Sequence, residues 1–271
     1  MFEKKVIQLL VIALLLVLAT GCAPQTTEPP TQLPQVPEEQ PEQPSAPPVQ
    51  EEPVQLPPVE QPSIPTLATT DGYTLSYTFY NAGENTPAII LLHALNGSKA
   101  DWDAFAKELQ ANGYSSIAID LRGNGQSSGD LSSFTAEEYN GMVNDVAAAK
   151  EFLKKQKIDP LRIGIIGASI GANIGLKYAA TDADIKGIIL LSPGLDYQGV
   201  KTEDAMKSYG RSLLIVASST DQYSAKSSQT LYELSPSGDL KFFKVAGHGT
   251  EMFNEFTNLD QIILGWLRVN I

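Results

Sequence analysis

The 271-residue chain has one cysteine, Cys22, and two histidines, His93 and His248. A single cysteine allows no intramolecular disulfide. With no H-E-x-x-H or C-x-x-C spacing, these residues form no recognisable zinc site, and no metal or other cofactor is expected. Basic runs are missing as well. The net charge is −12, of which the first 65 residues carry −6 through eight glutamates and two lysines. The remainder is mildly acidic, which excludes nucleic acid as a partner and excludes adhesion to anionic lipid by charge. No internal repeat is visible. The one long apolar run, from Val6 to Thr20, is shorter than the ~20 residues a spanning helix needs. A dinucleotide fingerprint is also missing, because Gly123-Asn124-Gly125-Gln126-Ser127-Ser128 lacks the last glycine.

What is present begins with an address. Lys4 and Lys5 precede the apolar run, which ends in Ala19-Thr20-Gly21-Cys22. A basic start, an apolar stretch of this length and small residues at its end mark an export signal over residues 1–21. The end of the run resembles the lipobox of bacterial lipoproteins, with Ala19 where Leu or Val is more usual. That resemblance implies a lipidated Cys22 and an extracytoplasmic, membrane-anchored protein. Residues 22–65 then form a tether. Fourteen of the chain's 18 prolines lie between Ala23 and Pro65, with Gln and Glu among them. Such a segment cannot bury enough apolar surface to offset chain entropy.

Residues 66–271 suit a single domain. Tyr73–Tyr80 alternates as one or two antiparallel strands do. Short apolar runs follow at Ala88–Leu92, Ser116–Asp120, Arg162–Ile166, Gly187–Leu191, Leu213–Ala217 and Lys241–Val245. Near-continuous apolar strands indicate a parallel sheet covered on both faces. Helices are expected between them at Ala100–Ala111, Ala136–Lys155, Ala172–Ala180, Ala225–Leu234 and Asn254–Val269. The alternation predicts a three-layer α/β domain.

Four motifs lie in this frame. Gly167-Ala168-Ser169-Ile170-Gly171 stands between an expected strand and helix, where a G-x-S-x-G sequence holds a serine on a sharp turn. The others are Leu91-Leu92-His93-Ala94-Leu95-Asn96-Gly97, Asp120-Leu121-Arg122-Gly123-Asn124-Gly125-Gln126-Ser127 and Gly247-His248-Gly249. In their order along the chain, with the serine motif third, they resemble the α/β-hydrolase superfamily, its esterases and dienelactone-hydrolase-like members in particular. The family's second residue after the first strand is usually glycine, here Ala94, and Asn124 replaces a frequent histidine.

A serine hydroxyl needs an adjacent base to attack at neutral pH. His248, in a loop after the last expected strand, takes that role, while the resemblance makes His93 structural. The chain order serine, acid, histidine puts the acid between residues 169 and 248. Asp221 and Asp196 both follow strand ends, and the resemblance favours Asp221. It also implies that the N–H groups of Leu95 and Ile170 form the oxyanion hole. The 192–212 segment is too short for a helical lid, so a minimal cap and an open pocket are expected. The function implied is a serine carboxylesterase acting on a small-molecule acyl substrate. Peptidase, thioesterase and acyltransferase share the machinery, and a lipid-tethered binding module on the same fold is the non-catalytic rival.

Overall fold

A computed structural model of the chain describes residues 63–236, 238–244 and 247–271. The chain divides into two units, Met1–Val59 and Glu60–Ile271. The export signal, Cys22 and nearly all of the tether lie outside the described residues, as do Val245 and Ala246 of the histidine loop. No helix among the described residues is long and apolar enough to cross a membrane.

The second unit is built on an eight-stranded sheet. Its strands are β1 (Thr66–Ala68), β2 (Thr74–Tyr80), β3 (Ala88–Leu92), β4 (Ser115–Ile119), β5 (Ile163–Ala168), β6 (Ile185–Leu191), β9 (Ser212–Ser218) and β10 (Asp239–Phe243). They run in the order β1-β2-β4-β3-β5-β6-β9-β10. β1 pairs antiparallel with β2, and β2 antiparallel with β4; all later pairings are parallel. Every residue of β3, β4 and β5 is buried, in keeping with their apolar and glycine composition, Ser115 and Ser116 of β4 apart.

Alternate residues feed two cores. Ala88, Ile90 and Leu92 of β3 enter one, and Ile89 and Leu91 enter the other. The first core is completed by α3 (Val143–Lys155), α4 (Ile170–Thr181) and α6 (Gln222–Leu234). The second is completed by α1 (Asp103–Ala111) and α8 (Leu259–Asn270). Full burial of each such Ile or Leu contributes about 1.5–3 kcal/mol.

Two expected helices are divided. The stretch from Ala136 to Lys155 breaks at Met142 into α2 (Ala136–Gly141) and α3. The break falls beside Gly141, where an added Cβ would lie 3.2 Å from the Arg122 guanidinium. The last helix separates into α7 (Met252–Glu255) and α8 because Phe256 turns extended and stacks on Phe243 of β10, with ring centroids 4.1 Å apart. The segment after β6 holds a two-stranded hairpin, β7 (Asp196–Tyr197) and β8 (Val200–Lys201), followed by α5 (Glu203–Ser208). It makes a small cap rather than a helical lid.

Candidate active site

Ser169 joins β5 to α4 with φ 54° and ψ −121°, a backbone conformation that costs a residue with a Cβ ~1–3 kcal/mol. The flanking glycines make the turn possible. A Cβ on Gly171 would fall 2.5 Å from the His93 carbonyl oxygen and 2.6 Å from that of Leu92. One on Gly167 would run into the backbone of Gly171. Further along α4, Gly175 leaves room for Ile165, which would otherwise lie 2.9 Å from the new carbon. The start of α4 therefore lies directly on the end of β3, and Ser169 is largely buried at the turn, with 6% exposure.

After β3 the chain makes a turn in which Gly97 N–H donates to the Ala94 carbonyl at 2.9 Å, with Asn96 at φ 60°. Ala94 itself does not adopt positive φ, so alanine in place of glycine brings no strain there. His93 is fully buried and both ring nitrogens are engaged. Leu121 N–H donates to Nε2 at 2.9 Å, so the proton sits on Nδ1, which lies 2.6 Å from the Ala94 carbonyl. Burial lowers its pKa, and the ring stays neutral. Asn124 ties the two loops together: its Oδ1 accepts from Asn96 N–H at 3.2 Å and its Nδ2 donates to the Arg122 carbonyl at 3.1 Å. Among the described residues, neither Leu95 N–H nor Ile170 N–H has a hydrogen-bond acceptor. Buried backbone donors are normally paired, so these two stand free to receive an acceptor from a bound molecule.

Asp221 caps α6 with one carboxylate oxygen, Oδ1 accepting from Ser224 N–H at 3.2 Å. The other oxygen lies 2.5 Å from His248 Nδ1. Capping and orienting are thus divided between two atoms of one side chain. His248 precedes Gly249, which has φ 59° and whose added Cβ would stand 3.0 Å from the Cβ of Ala168. The histidine loop therefore lies on the residue before Ser169. Gly249 N–H donates to Ser192 Oγ at 2.9 Å, and His248 N–H donates to Glu251 Oε2 at 3.1 Å, which fixes the loop from both sides. Asp196 does not meet the imidazole; its Oδ1 accepts from Gly199 N–H at 2.7 Å and closes its own hairpin.

Residues 83–219 match the family model described as serine aminopeptidase, S33 (Hydrolase_4). The chain belongs to this family. The polyketide transferase ATR5 of Stachybotrys chlorohalonatus is 32% identical over 131 residues, 48% of this chain and 43% of its own. The chain spans less than half the length of the curated relatives it matches. Among solved structures, the Pyrococcus furiosus esterase Pf2001 superposes with a TM-score of 0.63 at 18% identity, over 77% of this chain and 92% of its own. A dienelactone hydrolase from Anabaena variabilis gives 0.65 at 15%, over 77% and 97%. At these identities the likeness shows the fold, which is the α/β-hydrolase fold.

In this α/β-hydrolase domain a cavity of about 670 Å³ opens beside the site. Leu95 and His248 line it together with Phe105 and Phe253, whose rings stack at 4.8 Å. Asp101, Glu108, Glu251 and Asp260 give its lining an acidic character. Two residues escaped the sequence analysis as parts of the site. Ser192, fully buried with φ 51°, holds the histidine loop through its hydroxyl. Tyr197 faces the His248 ring. A serine directly after a strand end and before Pro193 was the available signal for the first; for the second, sequence offered only an aromatic in a short cap.

Proposed function

We propose that this domain is a serine hydrolase that cleaves carboxylic esters through an acyl-enzyme. Ser169 Oγ attacks the acyl carbonyl while His248 Nε2 takes its proton. Asp221 holds the imidazole with Nδ1–H directed at its carboxylate and stabilises the imidazolium that forms. The N–H groups of Leu95 and Ile170 receive the negative oxygen of the tetrahedral intermediate. His248 then delivers the proton to the departing alcohol, and water, activated by the same nitrogen, releases the acid. The observation that carries this reading is the 2.5 Å contact between Asp221 and His248, on a loop packed through Gly249 against the serine turn.

The test is labelling of the full chain with a fluorophosphonate and mapping of the adduct, followed by hydrolysis of p-nitrophenyl esters. The expected adduct is on Ser169 and disappears in Ser169→Ala and His248→Ala. A folded chain that takes no label would overturn the reading in favour of a binding module.

A second reading, acyl transfer to an acceptor other than water, is favoured by the relative named a polyketide transferase. Product analysis with added alcohols or amines separates the two, since a transferase yields a new ester or amide instead of the acid.

We propose further that Cys22 carries a lipid and that the domain works outside the cytoplasm on a Pro-rich tether. Both the basic, apolar start and the Ala19-Thr20-Gly21-Cys22 sequence support this. Cys22→Ser should free the protein from the membrane fraction or stall its processing. Unchanged anchoring would point to an uncleaved apolar segment instead.

A further inference from the structure

Tyr197 packs on His248 and, through Ser224 and Ser192, reaches the segments that adjoin Asp221 and Ser169. Its ring stands edge-on to the His248 imidazole, with centroids 6.2 Å apart and planes at 88°. Its hydroxyl lies 3.1 Å from Ser224 Oγ, and the N–H of that same Ser224 donates to Asp221 Oδ1 at 3.2 Å. It also donates to the Ser192 carbonyl at 3.3 Å, while the Ser192 hydroxyl receives Gly249 N–H at 2.9 Å, one residue from His248. Leu191, the residue before Ser192, accepts the Ser169 N–H through its carbonyl at 2.8 Å.

The ring is fixed from three sides. Gly194 leaves the space it fills, since a Cβ there would lie 2.6 Å from the ring. Tyr223 packs on it at 5.4 Å between centroids. The Tyr223 hydroxyl accepts from Asp196 N–H at 3.0 Å and donates to the Asp196 carbonyl at 2.8 Å, pinning β7 to α6. Burial raises the pKa of the Tyr197 hydroxyl, so it remains a neutral group with one proton to give.

We propose that Tyr197 is a positioning residue of the active site, whose hydroxyl braces the Asp221 segment and the Leu191–Ser192 turn against which Ser169 is bonded, while its ring sets the plane of the His248 imidazole. This rests on the reading of Ser169, Asp221 and His248 as a triad. It gives the short β7–β8 hairpin a task beyond covering the sheet: it delivers one aromatic side chain to the junction of three loops. The effect of the cap on reactivity passes through this residue.

The experiment compares Tyr197→Phe with the unaltered full chain, using the rate of fluorophosphonate labelling and the kinetics of p-nitrophenyl butyrate hydrolysis. Phenylalanine keeps the ring and removes the hydroxyl. Loosening the segments that hold Asp221 and Ser169 predicts labelling about tenfold slower. It predicts kcat lowered by the same factor with KM within about twofold, and an unchanged melting temperature. A purely structural role would lower the melting temperature and leave the labelling rate of the folded fraction untouched, which would overturn the proposal. So would labelling at or above the unaltered rate. If Tyr197→Phe does not fold, Ser224→Ala removes the bracing bond from the other side and must slow labelling in the same direction for the proposal to stand. Labelling does not depend on the substrate: a chain labelled on Ser169 but inert to esters loses the esterase reading while still testing Tyr197. An unaltered chain that takes no label loses both.

Discussion

Gly249 rests on Ala168, with 3.0 Å between the Ala168 Cβ and the point where a Cβ of Gly249 would stand. The residue after the proposed base thus lies on the residue before the proposed nucleophile, and the missing side chain sets how closely the two loops approach. An alanine at this position would have to adopt φ 59° as well, at a cost of ~1–2 kcal/mol. Gly249→Ala should lower the melting temperature by about 2–8 °C. It should also slow phosphonate labelling of Ser169 by at least ~10-fold, because a shift of the base well below 1 Å is already costly. A Gly249→Ala chain that melts lower but labels at the normal rate would show that this contact serves stability alone.

The two aspartates that follow strand ends differ in what their carboxylates hold. Asp221→Asn replaces the acceptor for His248 Nδ1–H and favours the wrong tautomer, so kcat should fall ~10⁴-fold. Asp196→Asn keeps an oxygen for Gly199 N–H and should stay within a few-fold of normal. Steady-state ester hydrolysis by the two variants decides between the assignments, and the opposite pattern would exchange them.

The centre of the sheet was legible because its inner strands are buried on both faces and are therefore written as apolar runs; β3 occupies Ala88–Leu92, the run expected. The helix breaks were not. Phe256 turns extended where it stacks on Phe243, a partner far away in sequence that no local pattern records, and the division at Met142 falls beside Gly141, which packs near Arg122. Within the site, the turn at Ser169 is written in Gly167 and Gly171, whose Cβ atoms would collide with backbone. The difference between Asp196 and Asp221 is not written in spacing at all. It arises when a hairpin closes on one carboxylate and a loop brings an imidazole to the other. Ser192 and Tyr197 were hidden for the same reason: their roles exist only once β6, α6 and the histidine loop meet.

Arg122 links two carboxylates of opposite behaviour. It lies 2.6 Å from the fully buried Asp145 and 2.7 Å from Asp71, and stacks on Tyr73 at 4.0 Å. Burial pushes the Asp145 carboxyl up to about 6, against the pull of the guanidinium. Burial would raise Asp71 too, but hydrogen bonds from Arg122, Thr69 and Asn144 outweigh it and hold that carboxyl well below its usual range. One guanidinium fully balances one carboxylate, and the buried one takes the proton first. The folded chain therefore binds a proton at Asp145 more tightly than the unfolded chain, whose value is near 3.9. From this group, stability rises as pH falls from about 6 to 4. Asp71 contributes stability above about pH 4 that is lost as pH falls further. Melting temperature against pH should peak between about 4 and 6, and Asp71→Asn should flatten the acid side of the curve. A melting temperature climbing steadily from pH 5 to 8 would contradict the assignment at Asp145.

The strain at Ser169 can be measured apart from its chemistry. Ser169 has φ 54° and ψ −121°, a region open to glycine and costly for residues with a Cβ. Ser169→Ala and Ser169→Gly both remove the hydroxyl, and each should lower kcat ~10⁴–10⁶-fold. Only the second removes the Cβ. Alanine should therefore melt close to the unaltered chain, while glycine relieves ~1–3 kcal/mol of strain. Against that stands ~0.5–1 kcal/mol for the greater freedom of glycine in the unfolded state. The net gain of about 1 kcal/mol corresponds to a rise of about 2–4 °C for a domain of this size. Calorimetry on the two variants makes the comparison directly. If the glycine and alanine variants melted together, the turn would store no energy in its φ, and the flanking glycines would serve close packing alone. If glycine melts higher, the site keeps its serine at the expense of stability, and that difference is the cost of holding the hydroxyl where the substrate arrives.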